Sequence, residues 1–208
     1  MNETVGRSSG GKGIFFLILG IPVLVILASS LLYWMADQDV VELGTVNHGN
    51  LIQPPKPMMD ETLTTPDGET LNIFDQPDSR WTFLVVGDAR CQGECERMLY
   101  LSRQTHVAMG KKMPRIQRMY LSTSDTLSPE LADQLATEHD DMRVAHIDEQ
   151  AWQRLIDGVE FEYPASRRFY VIDPYGWLMM SHGVPDTELP TLTEYGKKVL
   201  KDMKRLLK

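Results

Sequence analysis

"WTFLVVGDARCQGECERMLY", residues 81–100, decides how this chain is read. Its first six residues carry no charge and include β-branched and aromatic side chains, the pattern of a buried strand. From Glu94 to Lys112 apolar residues recur three and four apart, which predicts a helix. The only two cysteines, Cys91 and Cys95, stand at the junction between them. Positions i and i+4 share one helix face, so the two sulfurs can meet, and Gly93 gives the intervening backbone extra freedom. A helix N-terminus offers unpaired N–H groups and partial positive charge, which favour thiolate over thiol. Arg90 reinforces that field if it turns inward; Glu94 and Glu96 oppose it.

The spacing alone leaves three readings open. A structural disulfide is one, although closing so short a loop removes little chain entropy. A dithiol/disulfide couple is the second. A soft-metal site is the third, since two thiolates suit Cu(I) with a His or Met completing the set.

The rest of the chain supplies a frame for this junction. Residues 115–123 predict a second strand, 128–139 a helix capped by Ser128 with Pro129 in its first turn, and 141–148 a third strand. A short helix over 149–158 ends at Gly158, a hairpin over 167–182 turns at "DPYG", and a terminal helix spans 191–208. The order β-α-β-α-β-α-ββ-α describes an α/β sheet with crossover helices and an antiparallel hairpin. With a cysteine pair after the first core strand, the leading fold is a thioredoxin-like domain, drawn over residues 73–208.

Upstream, "IFFLILGIPVLVILASSLLYW" (14–34) is 21 residues without a charge, enough to cross the ~30 Å hydrocarbon layer as a helix. Tyr33 and Trp34 close it, where aromatic rings favour the interface. The run is longer than a signal peptide's apolar region, and "LASS" (27–30) lies inside it, so an uncleaved anchor over 13–35 is expected. Arg7 and Lys12 precede the span, while Asp37, Asp39 and Glu42 follow it. That bias holds a tail of residues 1–12 in the cytoplasm and sends the remainder outward. In a bacterium, the expected source, this is the inner membrane with the domain in the periplasm. Outside the cytosol, two cysteines can persist as a disulfide. Residues 36–72 hold turn formers and the prolines of "QPPKP", and predict an extended arm that either packs on the domain or spaces it from the membrane. The net charge of −8 argues against nucleic acid as a partner.

"FLVVGDARCQGEC" is similar to the first strand and C-x-x-x-C loop of the SCO/SenC family, and "RFYVIDPYG" resembles that family's "FYLVDPxG" hairpin. The resemblance covers roughly residues 70–208 and is patchy between the motifs. It implies a membrane-anchored thioredoxin-fold protein that assists copper-site assembly in cytochrome c oxidase. Partners would then be oxidase subunits or other assembly factors, and the cofactor copper, held at Cys91 and Cys95. The chain departs from the family at one point. SCO proteins carry a copper-binding histidine shortly before the "FYLVDP" strand, where this sequence reads "YPASRR" (163–168), with Ala165 close to that place. No histidine occurs between His146 and His182.

Other histidines are weaker candidates. His146 ends a predicted strand, on the side where open α/β sheets place ligands. His182 ends the second hairpin strand, at the correct end of the sheet but a strand too far from the cysteines. His106 lies eleven positions beyond Cys95, about 16 Å along one helix, and reads as a half-exposed helix residue. His48 lies in the arm and His139 follows a helix; neither shows ligand spacing. The twelve methionines read as core filler. Pro164 is placed where thioredoxin-like folds commonly put a cis-proline facing the cysteines. The basic terminal helix reads as a solvated face opposite an apolar stripe. The expected function is oxidase assembly by thiol–disulfide exchange or transient copper handling. The alternative is a non-catalytic scaffold whose cysteines form only a structural disulfide. An assembly factor, with thiol–disulfide oxidoreductase activity at most, fits better than a metabolic enzyme.

Overall fold

A 28-residue helix, α1 (Gly10–Asp37), opens the computed structural model, which describes residues 10–37, 47–74 and 76–208. Pro22 sits inside α1, a position that membrane helices tolerate better than soluble ones do. Its stretch Phe16–Met35 has a mean hydropathy of 2.5 and is exposed throughout, so it is long and apolar enough to cross a membrane. Arg7 of the expected cytoplasmic tail, and Asp39 and Glu42 of the expected arm, lie outside the described residues.

A second unit runs from Asn47 to Lys208. In chain order it contains β1 (Asn50–Pro57), β2 (Trp81–Gly87), α2 (Glu94–Ala108), β3 (Ile116–Ser122), α3 (Pro129–Glu138), β4 (Met142–His146), α4 (Glu149–Ile156), β5 (Arg168–Ile172), β6 (Trp177–Gly183) and α5 (Leu189–Leu206). The six strands form one sheet in the order β1-β6-β5-β2-β3-β4. β2, β3 and β4 are parallel, as helical crossovers through α2 and α3 require. The hairpin β5–β6 returns antiparallel beside β2, and β1 closes the edge antiparallel to β6.

Alternation along the strands sends side chains to two cores. Phe83, Val85, Tyr120, Phe169, Val171 and Met180 pack against α2, α3 and α5. Leu84, Met119, Leu121, Tyr170, Ile172 and Leu178 face the other way, against Trp152 and Leu155 of α4. The Ser128 side chain accepts the Leu131 amide as expected, and Asp148, read from the sequence as the end of a strand, instead caps α4 by accepting the Ala151 amide. α2 stops at Ala108, short of the expected Lys112, and the chain continues as a 3₁₀ turn from Gly110 to Arg115.

Of the stretch expected as an arm, residues 47–72 pack on the domain, the first of the two alternatives, and belong to this unit. Ile52, Met58, Leu63 and Phe74 join the second core, and Thr64 pairs with the end of β4 through mutual bonds with His146. The buried Asp202 of α5 accepts the amides of His48 at 2.8 Å and Gly49 at 2.9 Å, fixing the start of β1. The 3.5 Å approach of Arg205 to the same carboxylate adds a cation at that anchor.

A charged residue lies deep in the sheet. Arg118 of β3 is fully buried, and its guanidinium donates to Asp141, the Leu99 carbonyl and the Ser102 hydroxyl. His106 bridges the same Asp141 at 3.2 Å and the Ile116 carbonyl at 3.1 Å. It is therefore buried, not half-exposed, and serves to tie α2 to β3.

Candidate functional site at the C-x-x-x-C loop

β2 ends at Gly87 because space ends there. A Cβ at this position would lie 2.9 Å from Cys95 Sγ and 2.5 Å from the Tyr120 hydroxyl. The bare glycine lets both approach the strand. Tyr120 donates to the Asp88 carbonyl, holding the first residue of the loop against β3. Burial pushes the Tyr120 hydroxyl's pKa up, with the nearby Asp88 charge adding to the effect, so it stays a donor at neutral pH.

Asp88 turns the chain. Its carboxylate accepts the amides of Arg90 at 2.8 Å and Cys91 at 2.9 Å. Those two bonds, with the Arg90 charge a smaller contribution, hold the carboxyl below its usual range. Cys91 follows with φ +44° and Gly93 with φ +63°, left-handed conformations for which glycine pays no steric penalty and cysteine does. Gly93 starts α2 without a side-chain cap, leaving the first-turn amides unclaimed by one.

Cys91 and Cys95 are joined as a disulfide, with their Cα atoms 5.0 Å apart. Both residues are largely covered, Cys91 at 1% exposure and Cys95 at 8%, so access is through the cavity beside them. This cavity of about 310 Å³ is lined by both cysteines, Gln92, Glu149, Trp152 and Ala165, among others. Ala165 thus borders the cavity beside the cysteines, at the point of the sequence where SCO proteins carry a histidine. Its loop is clamped to α2: Glu94 accepts the Ser166 hydroxyl at 2.6 Å and lies 3.4 Å from Arg167 Nε. Glu94, expected only to oppose a thiolate, is thereby engaged by a cation and a hydroxyl.

The two candidate histidines are elsewhere. His182 faces Phe169 across the hairpin, its ring stacked on that residue, with Nε2 4.0 Å from Asp202 Oδ2. Burial, opposed by the Asp202 charge and reinforced by that of His48, pushes its pKa down to about 4. His146 Nδ1 lies 2.7 Å from the Ser124 carbonyl, in a cavity between α3 and β4. Neither lines the cysteine cavity. Among the described residues, no group of three or more His, Cys, Asp or Glu side chains is placed to hold a metal ion. The Tyr163–Pro164 bond is trans; the one cis peptide among the described residues is Gln53–Pro54.

A mixed sheet with a cysteine pair where the first crossover begins defines a thioredoxin-like domain, here following an apolar helix. The chain belongs to the family described as transmembrane-like, thioredoxin-like, C-terminal domain, whose model matches residues 81–208. No curated protein sequence matches it. Its neighbours among solved structures include SCO/SenC proteins. The SCO1/SenC family lipoprotein from Bacillus anthracis has a TM-score of 0.51 at 17% identity, covering 76% of this chain and 99% of that one. Yeast Sco1 with copper bound has a TM-score of 0.50 at 14% identity over 77% and 95% of the two chains. Arabidopsis thaliana ScoI with copper bound has a TM-score of 0.50 at 12% identity over 76% and 98%. These likenesses show a shared fold.

Proposed function

We propose that this is a membrane-anchored assembly protein that exchanges thiols and disulfides with an exported copper-site subunit of cytochrome c oxidase. The observation that carries the reading is the Cys91–Cys95 disulfide at the start of α2, opening on a cavity. In the reducing direction, the Cys91 thiolate attacks a partner disulfide and forms a mixed disulfide, releasing one partner thiolate. Cys95 then attacks Cys91, closing the intramolecular bond and releasing the second partner thiolate. Two electrons pass to the partner, and an external dithiol returns the pair to its reduced form. Free amides at the helix start favour the attacking thiolate. The neighbouring fold of yeast and Arabidopsis proteins solved with copper bound supports a copper-centre subunit as the partner class. It also supports a second role, transient Cu(I) holding between the two thiolates. α1 anchors the chain in a bacterial inner membrane, with its N-terminus cytoplasmic and the domain periplasmic.

The test is a trapping experiment in cells. Cys95→Ser is expected to accumulate a mixed disulfide with an exported cysteine protein, and Cys91→Ser to yield none and to abolish assembly activity. If neither substitution alters copper-centre assembly and no adduct forms, the cysteines are structural and the chain is a scaffold.

A further inference from the structure

A cation with no ion-pair partner among the described residues sits away from the cysteines. Arg168 opens β5, and its guanidinium carbon lies 3.8 Å above the Phe161 ring and 6.0 Å from that of Tyr170. Its Nε and Nη1 are buried and have no hydrogen-bond acceptor among the described residues. An aromatic face attracts a cation but does not accept its N–H bonds. Burying such donors unmet is unfavourable, and an anion beside the guanidinium would offset part of that cost through its charge.

The space for that anion is present. Arg168 borders a cavity of about 240 Å³ whose wall includes Tyr163, Ser181, Tyr195 and Lys198. The hydroxyls of Tyr163 and Tyr195 are hydrogen-bonded to each other at 3.4 Å, which holds the pair together at the cavity wall. Lys198 rests over the Tyr195 ring at 3.9 Å and brings a second cation, shared with Glu194 at 2.9 Å. Glu162 is the one carboxylate in the wall. Desolvation lowers the pKa of Arg168 from its usual value, in keeping with a guanidinium that lacks a counter-ion.

We infer that this cavity is a binding site for a small oxyanion, a phosphate or a carboxylate, held by Arg168 with Lys198 and the two tyrosine hydroxyls. The site is separate from the disulfide and does not depend on the proposed exchange reaction.

Isothermal titration of the full chain in uncharged detergent, at constant ionic strength in chloride, tests this. Inorganic phosphate and succinate are titrated separately. Saturable one-to-one binding of either is expected, and which of the two binds identifies the source of the oxyanion. Arg168→Gln is expected to weaken that binding about tenfold or more, the loss of a charge-assisted contact. Lys198→Ala, on an exposed helix face, is expected to weaken it several-fold with the fold unchanged by circular dichroism. It decides the matter if the Arg168 variant fails to fold. Absence of saturable binding by both anions overturns the inference, as does wild-type affinity in the folded variants.

Discussion

Ala165 is the residue on which the chemistry of the cysteine loop turns. It borders the cavity beside Cys91 and Cys95, and a side chain of one methyl group cannot ligate a metal. Ala165→His is expected to raise the Cu(I) affinity of the reduced protein at least tenfold, read by competition with a chromophoric chelator. Unchanged affinity would mean that residue 165 does not address the sulfurs. His182 illustrates a histidine that chemistry-by-composition would misplace. It is sealed between Phe169 and Asp202, and its pKa of about 4 lies below the ordinary 6.5. A depressed value means the unfolded chain binds the proton first as pH falls. The stability contribution is therefore complete above about pH 6.5 and is lost as pH falls towards 4. Stability should fall over that window, read as a falling urea midpoint. His139 is shifted in the same direction, chiefly by burial and then by Arg118, so His182→Phe should flatten the slope without abolishing it.

At the scale of elements, the helices and central strands were legible because their signals are local. The uncharged apolar run of β2, the period of 3.6 in α2 and α5, and the cap at Ser128 all lie within a few residues. β1 was not legible, because what makes it a strand is Met180 and Ser181, paired with Leu51 and Asn50 from more than a hundred positions away. Pro54 and Pro55, which cannot donate to a ladder, fall where the register slips between Leu51 and Lys56, consistent with an edge position. Arg118 was missed for a related reason: nothing in "RIQRMYLST" shows that Asp141 and Ser102 await it. The clasp on β1 can be tested directly. Asp202→Ala removes the acceptor of two amides and is expected to cost about 2–3 kcal/mol. Hydrogen exchange should quicken at Asn50 and Leu51 while β2 and β3 stay protected. Uniform loosening of all strands would show that Asp202 supports the whole sheet and not the edge.

For the molecule as a whole, the thioredoxin-like domain and its cysteine pair were readable from the order of elements and the position of one loop. The side-chain surroundings of that loop were only partly so. The sequence lacks a histidine near residue 165, and the structure adds that Ala165 borders the cysteine cavity and that Glu94 holds its loop. It could not show the oxyanion cavity, whose wall is gathered from residues 48 to 198. The proposed exchange reaction rests on the joined cysteines, the uncapped helix start and the adjoining cavity. The reduction potential of Cys91–Cys95 in the full chain, measured against graded glutathione or dithiothreitol buffers, tests this most directly. An exchange-active pair should equilibrate at about −180 to −270 mV, in the range of thiol–disulfide oxidoreductases. A value below about −300 mV would mark a permanent staple and contradict the account.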